Sequence, residues 1–258
     1  MYSANGQSGR FRGTRQIIVY NWHFYAAAFG IDVGTVILLI LSSLSSGIRL
    51  GLYLVMFMTT FWALSSLAAS YYVYDCSPLY RWNWLQALLP GGAGNWANIH
   101  AGLDESSEPL MAMFPATHAR LLDIYTKSEM SEPSIERARL RAKPLANAEK
   151  ASPSRLPLED GECDTIFLIF VAHELRNTDA RLRFFREVFR GLKTGGQVVL
   201  VEHLRDWNNV LAYGPGALHF FSRRLWLKVC REAQLEIVDE ERITRFVRCF
   251  VFAKVNGE

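Results

Sequence analysis

"TIFLIFVAHELRNTDARLRFFREVFRGLKTGGQVVLVEHLRD", Thr165–Asp206, sets two short apolar runs on either side of an amphipathic stretch. Thr165–Val171 and Gln197–Glu202 have strand length and are rich in β-branched and aromatic residues, so each is predicted to be a strand. Between them, Ala180–Leu192 places Leu182, Phe185, Val188 and Phe189 at helical spacing. Asp179 is its expected N-terminal cap and the glycines of "KTGG" its expected stop. Strand, helix and strand in this order make a right-handed βαβ crossover. Both apolar runs finish in a His/Glu pair, His173 with Glu174 and Glu202 with His203, and a shared sheet edge would bring the pairs together.

Outward from this unit the same alternation continues from Gly94, which is how a mostly parallel sheet with crossover helices reads. Further strands are predicted at Ala97–Ala101, Arg120–Ile124, Leu235–Arg242 and Arg248–Lys254, with helices near 108–114, 134–141 and 223–233. The last two strands are joined too closely for a helix, so they are expected to form an antiparallel pair at one edge. The fold class expected is α/β, Rossmann-like, with a two-helix transmembrane hairpin in front of it.

That hairpin rests on composition. Between Val33 and Tyr74 the only charged residue is Arg49. A helix crossing a hydrocarbon core of about 30 Å needs roughly 20 largely apolar residues. "FYAAAFGIDVGTVILLILSSLSSGI" and "LGLYLVMFMTTFWALSSLAASYYVY" both meet this, separated by the "SGIRLG" link. A buried hairpin of a soluble protein is the alternative. Arg10, Arg12 and Arg15 before the first span and Arg81 after the second, against Arg49 in the link, put both ends in the cytoplasm by the positive-inside rule. Tyr80, Trp82 and Trp84 suit a segment at headgroup level. Asp32, inside the first span, is expected to pair with a neighbour or reach the interface. The expected division is a tail over 1–21, the hairpin over 22–75, an interfacial linker over 76–93 and a soluble domain over 94–258. A net charge of +3 is too weak to argue for nucleic acid. Cys76, Cys163, Cys230 and Cys249 lack CxxC spacing and read as reduced thiols.

"LPLEDGECDTIFLIFVAHEL" followed by "FFREVFRGLKTGGQVVLVE" resembles the second half of a class I S-adenosylmethionine-dependent methyltransferase of the type-11-like group. The resemblance covers roughly residues 95–254. It implies S-adenosylmethionine as cofactor, held by the turn after the first strand, "NIHAGLDESSEPL", in which Gly102 is the only glycine. His100 and Asp104 flank that glycine. "ARLLDIY" puts Asp123 where the family has an acid for the ribose hydroxyls, and a carboxylate can accept both at once. Asp123 also lies at the interval past the glycine turn expected of dinucleotide folds, about 20 residues. Ser152 aligns near the family's adenine-contacting acid, and Phe170 and Ala172 close the cofactor side at the end of the fourth strand.

Ligands of open α/β sheets bind beyond the carboxyl ends of the strands. Methyl transfer to oxygen or an acidic nitrogen needs a base, which suits a histidine. His173 is the first candidate, with His203 and His219 next. Glu174, Glu202, Tyr213 and Phe220 are candidate substrate contacts, the last two within "WNNVLAYGPGALHFFSRRLW", which reads as an apolar lid, as core packing or as a membrane-docking segment. No metal is assigned, because "HELRN" lacks the second histidine of HExxH. Three alternatives stay open: the pairs cap helices or bind Arg176, Arg205 and Asp206; the chain is a non-catalytic scaffold; or a metal enzyme uses His173, Glu174 and His203. Arg137, Arg139, Arg141 and Lys143 read as a solvated face or as a cluster for anionic headgroups. The acceptor expected is a small or hydrophobic molecule, with a lipid or quinone-like compound among the candidates, met by an integral membrane protein whose catalytic domain faces the cytoplasm.

Overall fold

The computed structural model describes residues 11–116, 118–130, 132–141 and 147–255. The chain divides into two compact units, one of residues 11–77 with 206–218 and one of residues 78–205 with 219–255. Arg10 and Lys143 lie outside the described residues, as does part of the expected tail.

The first unit is built on α1 (Arg12–Leu41) and α2 (Ser46–Tyr71). Both are long and apolar enough to cross a membrane by length and composition. α1 begins well before the apolar stretch and kinks at Asn21, where the polar entry segment gives way to the apolar one. The connection is Ser42–Ser45, earlier than the expected "SGIRLG", so Arg49 sits in the first turn of α2. Asp32 is paired inside the hairpin: Thr59 donates to one carboxylate oxygen, and Thr60 Oγ1 donates to the other at 2.8 Å. Past α2 the chain makes a π turn, and Asp75 there accepts the Gly13 and Thr14 amides at 2.9 Å each. Those amides have no partner within α1, so Asp75 caps one helix of the hairpin from the far end of the other. A Cβ on Gly13 would lie 2.3 Å from that of Tyr74, so the approach requires glycine.

The second unit starts with a short helical segment, α3 (Asn83–Leu88). Here Leu79, Trp82 and Leu85 are buried, Tyr80 and Trp84 are half-buried, and Tyr80 donates to Glu105 at 2.8 Å. Then come β1 (Trp96–His100), α4 (Ser107–Met113), β2 (Ala119–Asp123), α5 (Pro133–Arg141), β3 (Glu149–Lys150), β4 (Cys163–Ile169), α6 (Thr178–Gly191) and β5 (Leu192–His203). α7 (Trp207–Tyr213) returns to the first unit, and α8 (Arg223–Glu232), β6 (Leu235–Arg242) and β7 (Val247–Lys254) complete the second. The seven-stranded sheet has the order β3-β2-β1-β4-β5-β7-β6. All pairings from β3 to β5 are parallel, and β7 runs antiparallel to both β5 and β6. This is the Rossmann-like sheet with a C-terminal antiparallel pair that the periodicity implies.

In the βαβ unit the cap of α6 is Asn177, whose side chain accepts the Ala180 amide, rather than Asp179. The helix ends at Gly191, two residues before "KTGG". Arg181, Phe184, Phe185 and Val188 are buried, while Leu182 and Phe189 pack only at the core's margin. β4 and β5 sit in the middle of the sheet and are covered on both faces, which explains their near-continuous apolar runs. The four cysteines are free thiols, all buried but Cys76; burial raises the Cys163 thiol to about 12, which makes it unreactive.

Candidate active site

Because β1, β2, β4 and β5 are parallel, their carboxyl ends share one edge, and the sequence places chemistry at each. β1 and β2 are registered so that His100 lies opposite Asp123. The chain turns out of β1 through Gly102, at φ +93°, a conformation glycine adopts without steric cost. The Gly102 amide donates to His100 Nδ1 at 3.0 Å. Asp104 Oδ1 accepts the Ser106 and Ser107 amides at 3.1 and 2.9 Å, so His100 and Asp104 shape the turn itself.

Asp123 holds a cation. Arg139 Nη1 and Nη2 donate to its two carboxylate oxygens at 2.9 and 3.1 Å, and Nη1 also reaches the Ala101 carbonyl at 2.9 Å. The guanidinium lies over the Tyr125 ring, 4.2 Å from its centroid. It fills the cradle of the glycine turn, for a Cβ on Gly102 would stand 1.6 Å from Nη1. Burial raises the Asp123 carboxyl, but the Arg139 and Tyr125 hydrogen bonds outweigh it and leave it below its ordinary range. A left-handed glycine turn beside a two-oxygen acceptor is what the ribose and methionine ends of S-adenosylmethionine require, so the residues fit that cofactor. Arg139 currently takes the carboxylate. It belongs to the basic stretch read as a solvated face or as a cluster for anionic headgroups, and nothing in that local pattern marks which cation turns inward. Ser152 is exposed and paired with Ser154, in keeping with a loop position.

Across the edge, β4 ends at Ile169 and the backbone enters the left-handed region at Phe170, φ +52°, an uncommon state for a bulky residue and one that recurs at functional sites. A 3-10 turn, Ala172–Glu174, follows and lifts His173 over β5. There the fully buried Glu202 accepts the His173 amide at 3.2 Å and faces Nδ1 at 2.7 Å. Glu174 Oε1 stands 3.3 Å from His173 Nε2. Burial lowers the His173 imidazole, yet the charges of Glu202 and Glu174 overcome this and push it up to about 10.

His219 completes the group, its ring edge-on to His173 with centroids 5.1 Å apart. Its position is set by Arg176, which donates to the His219 carbonyl at 2.5 Å, and by Phe221, stacked under both Arg176 and Arg181. Burial, then the positive charge of His173, push His219 down to about 4, leaving it neutral. Glu132 Oε1 lies 3.6 Å from its Nδ1. Glu132 was not singled out in the sequence, where it is one acid in a polar loop.

His173, Glu174, Glu202 and His219 thus converge. His203, the next residue on β5, turns to the other face; its Nδ1 meets the Phe246 carbonyl at 3.0 Å and its ring stacks between Phe170 and Phe220. Ala172 is wholly buried under the turn. Tyr213 is in the hairpin unit, beside Ser70, and α7 packs there through Ser65, which donates to the Ala212 carbonyl at 2.7 Å. The segment read as one lid is therefore two pieces: 206–218 joins the hairpin, and 219–221 joins the site.

Residues 112–200 match the family model described as "Methyltransferase domain". No curated protein matches the chain. Among solved structures it is similar to a SAM-dependent methyltransferase from Methanosarcina mazei, at 17% identity and TM-score 0.50, covering 67% of this chain and 97% of that one. It is also similar to a SAM-dependent methyltransferase from Aquifex aeolicus, again at 17% identity and TM-score 0.50, with 69% and 93% covered. Those likenesses show the fold. The domain match adds that residues 112–200 are similar to a methyltransferase domain.

Proposed function

We propose that the protein is an S-adenosylmethionine-dependent methyltransferase held on a membrane by the α1–α2 hairpin, its second unit facing the cytoplasm, and that it methylates a hydrophobic acceptor bound at the His173, Glu174, Glu202 and His219 cluster. The observation that carries the reading is the convergence of these four polar groups on the sheet edge that also carries Gly102 and Asp123. Gly102 and its neighbours His100 and Asp104 would hold the methionine end of the cofactor, and Asp123 its ribose. When bound, the cofactor supplies an electrophilic methyl group on a sulfonium.

The chain's own residues do the rest. Asp123 must release Arg139 before its oxygens accept ribose hydroxyls. The cluster binds the acceptor's nucleophilic heteroatom and takes charge of its proton, with His173 fixed by Glu202 and His219 carrying the neutral ring. Phe170, His203 and Phe220 make an aromatic stack suited to a flat apolar acceptor. Arg12, Arg15 and Arg81 against Arg49 support the cytoplasmic placement of the ends, and the large exposed apolar side chains of both helices support the membrane.

The test is transfer of label from methyl-labelled S-adenosylmethionine to fractionated membrane-lipid extracts. Label is expected in an organic-soluble product, lost in Asp123→Ala and strongly reduced in His219→Ala. Label confined to water-soluble acceptors would overturn the hydrophobic assignment.

A further inference from the structure

The His/Glu cluster has the makings of a metal centre. One ligand atom from each of His173, Glu174 and His219 lies within 4.8 Å of the others, close enough for a single ion to touch all three. Second, Glu174 is only 8% exposed, yet its Oε2 has no hydrogen-bond partner, although a buried carboxylate oxygen left unpaired is costly. Third, Glu202 sits on the far nitrogen of His173 at 2.7 Å, and Glu132 lies 3.6 Å from one nitrogen of His219. Ligating histidines typically have a carboxylate or carbonyl on the nitrogen away from the ion, which fixes the ring and makes it a better donor.

We infer that His173, Glu174 and His219 bind one divalent transition-metal ion, with Glu202 as the positioning residue for His173. Two imidazoles and one carboxylate suit zinc, manganese or ferrous iron and suit magnesium poorly, since magnesium prefers an all-oxygen shell. Three protein ligands leave a coordination position open. For what the ion does, the inference rests on the acceptor reading above: an acceptor oxygen taking the open position would lose its proton more readily. Whether the ion binds does not depend on that reading. His203 is not a ligand, since its ring is committed to the Phe246 carbonyl and the aromatic stack.

The experiment uses full-length, tag-free protein in detergent, stripped with chelator and titrated separately with zinc, manganese and magnesium ions, with cobalt(II) as a visible-absorption reporter. One zinc or manganese ion per chain is expected. His219→Ala and Glu174→Gln should abolish the cobalt ligand-field band, and Glu202→Gln should weaken binding about tenfold or more. S-adenosylmethionine affinity should stay unchanged in these variants, which shows that they are folded and separates this test from the methyltransferase reading. Ion binding of equal affinity in wild type and His219→Ala, or no stoichiometric binding by protein that still binds S-adenosylmethionine, overturns the inference.

Discussion

Glu187 shows how much one side chain can organise. Its Oε2 accepts the Leu156 amide at 2.9 Å and Arg190 Nη2 at 2.8 Å, and Arg190 goes on to the Leu156 and Leu158 carbonyls at 3.0 and 2.7 Å. The pair therefore ties the segment before β4 to α6. The Arg190 hydrogen bonds, with the Leu156 amide, hold the Glu187 carboxyl below its ordinary range. A folded-state value below the unfolded one contributes stability that is present above the unfolded value, about 4.3, and lost as the pH falls through the depressed one. Denaturant unfolding at stepped pH should show Glu187→Gln less stable at neutral pH, with a shallower acid decline than wild type. Parallel curves would contradict this. Gly102 gives a second residue-level test. Gly102→Ala forces a side chain into the left-handed region, at a cost of about 1–2 kcal/mol, and drives its Cβ into the Arg139 guanidinium. A lower melting temperature and weaker cofactor binding are expected together.

Elements were legible in proportion to how local their cause is. β4 and β5 follow from apolar runs bounded by turns, and the predicted Thr165–Val171 lies within two residues of the observed Cys163–Ile169 at either end. β3, two residues long, has no periodicity to read. The burial of Trp82, the return of α7 to the hairpin and the inward turn of Arg139 depend on partners far away in sequence, so no local pattern announces them. The same holds within the site: the His/Glu pairs were visible at the strand ends, but Glu132 and the separation of His203 from His173 appear only once the chain is folded. The Asp75 cap is another such contact, joining residues 62 apart. Asp75→Ala leaves the first amides of α1 uncapped and should cost about 1 kcal/mol. Faster proteolysis near Thr14 is the expected sign, and an unchanged digestion rate would show that the cap contributes nothing.

The chain combines a hairpin unit with a methyltransferase-like sheet, and each makes its own demand. If α1 and α2 span a bilayer, full-length protein should stay in the membrane pellet through an alkaline carbonate wash; release into the supernatant would reduce the hairpin to a peripheral or soluble element. The central claim lies with the sheet edge, where Gly102 and Asp123 are proposed to hold the cofactor. Its most direct test is calorimetric titration of S-adenosylmethionine and its demethylated product into detergent-purified protein, beside Asp123→Ala. The account predicts micromolar binding by wild type that disappears in the variant. A well-folded wild-type protein that binds neither ligand would contradict it.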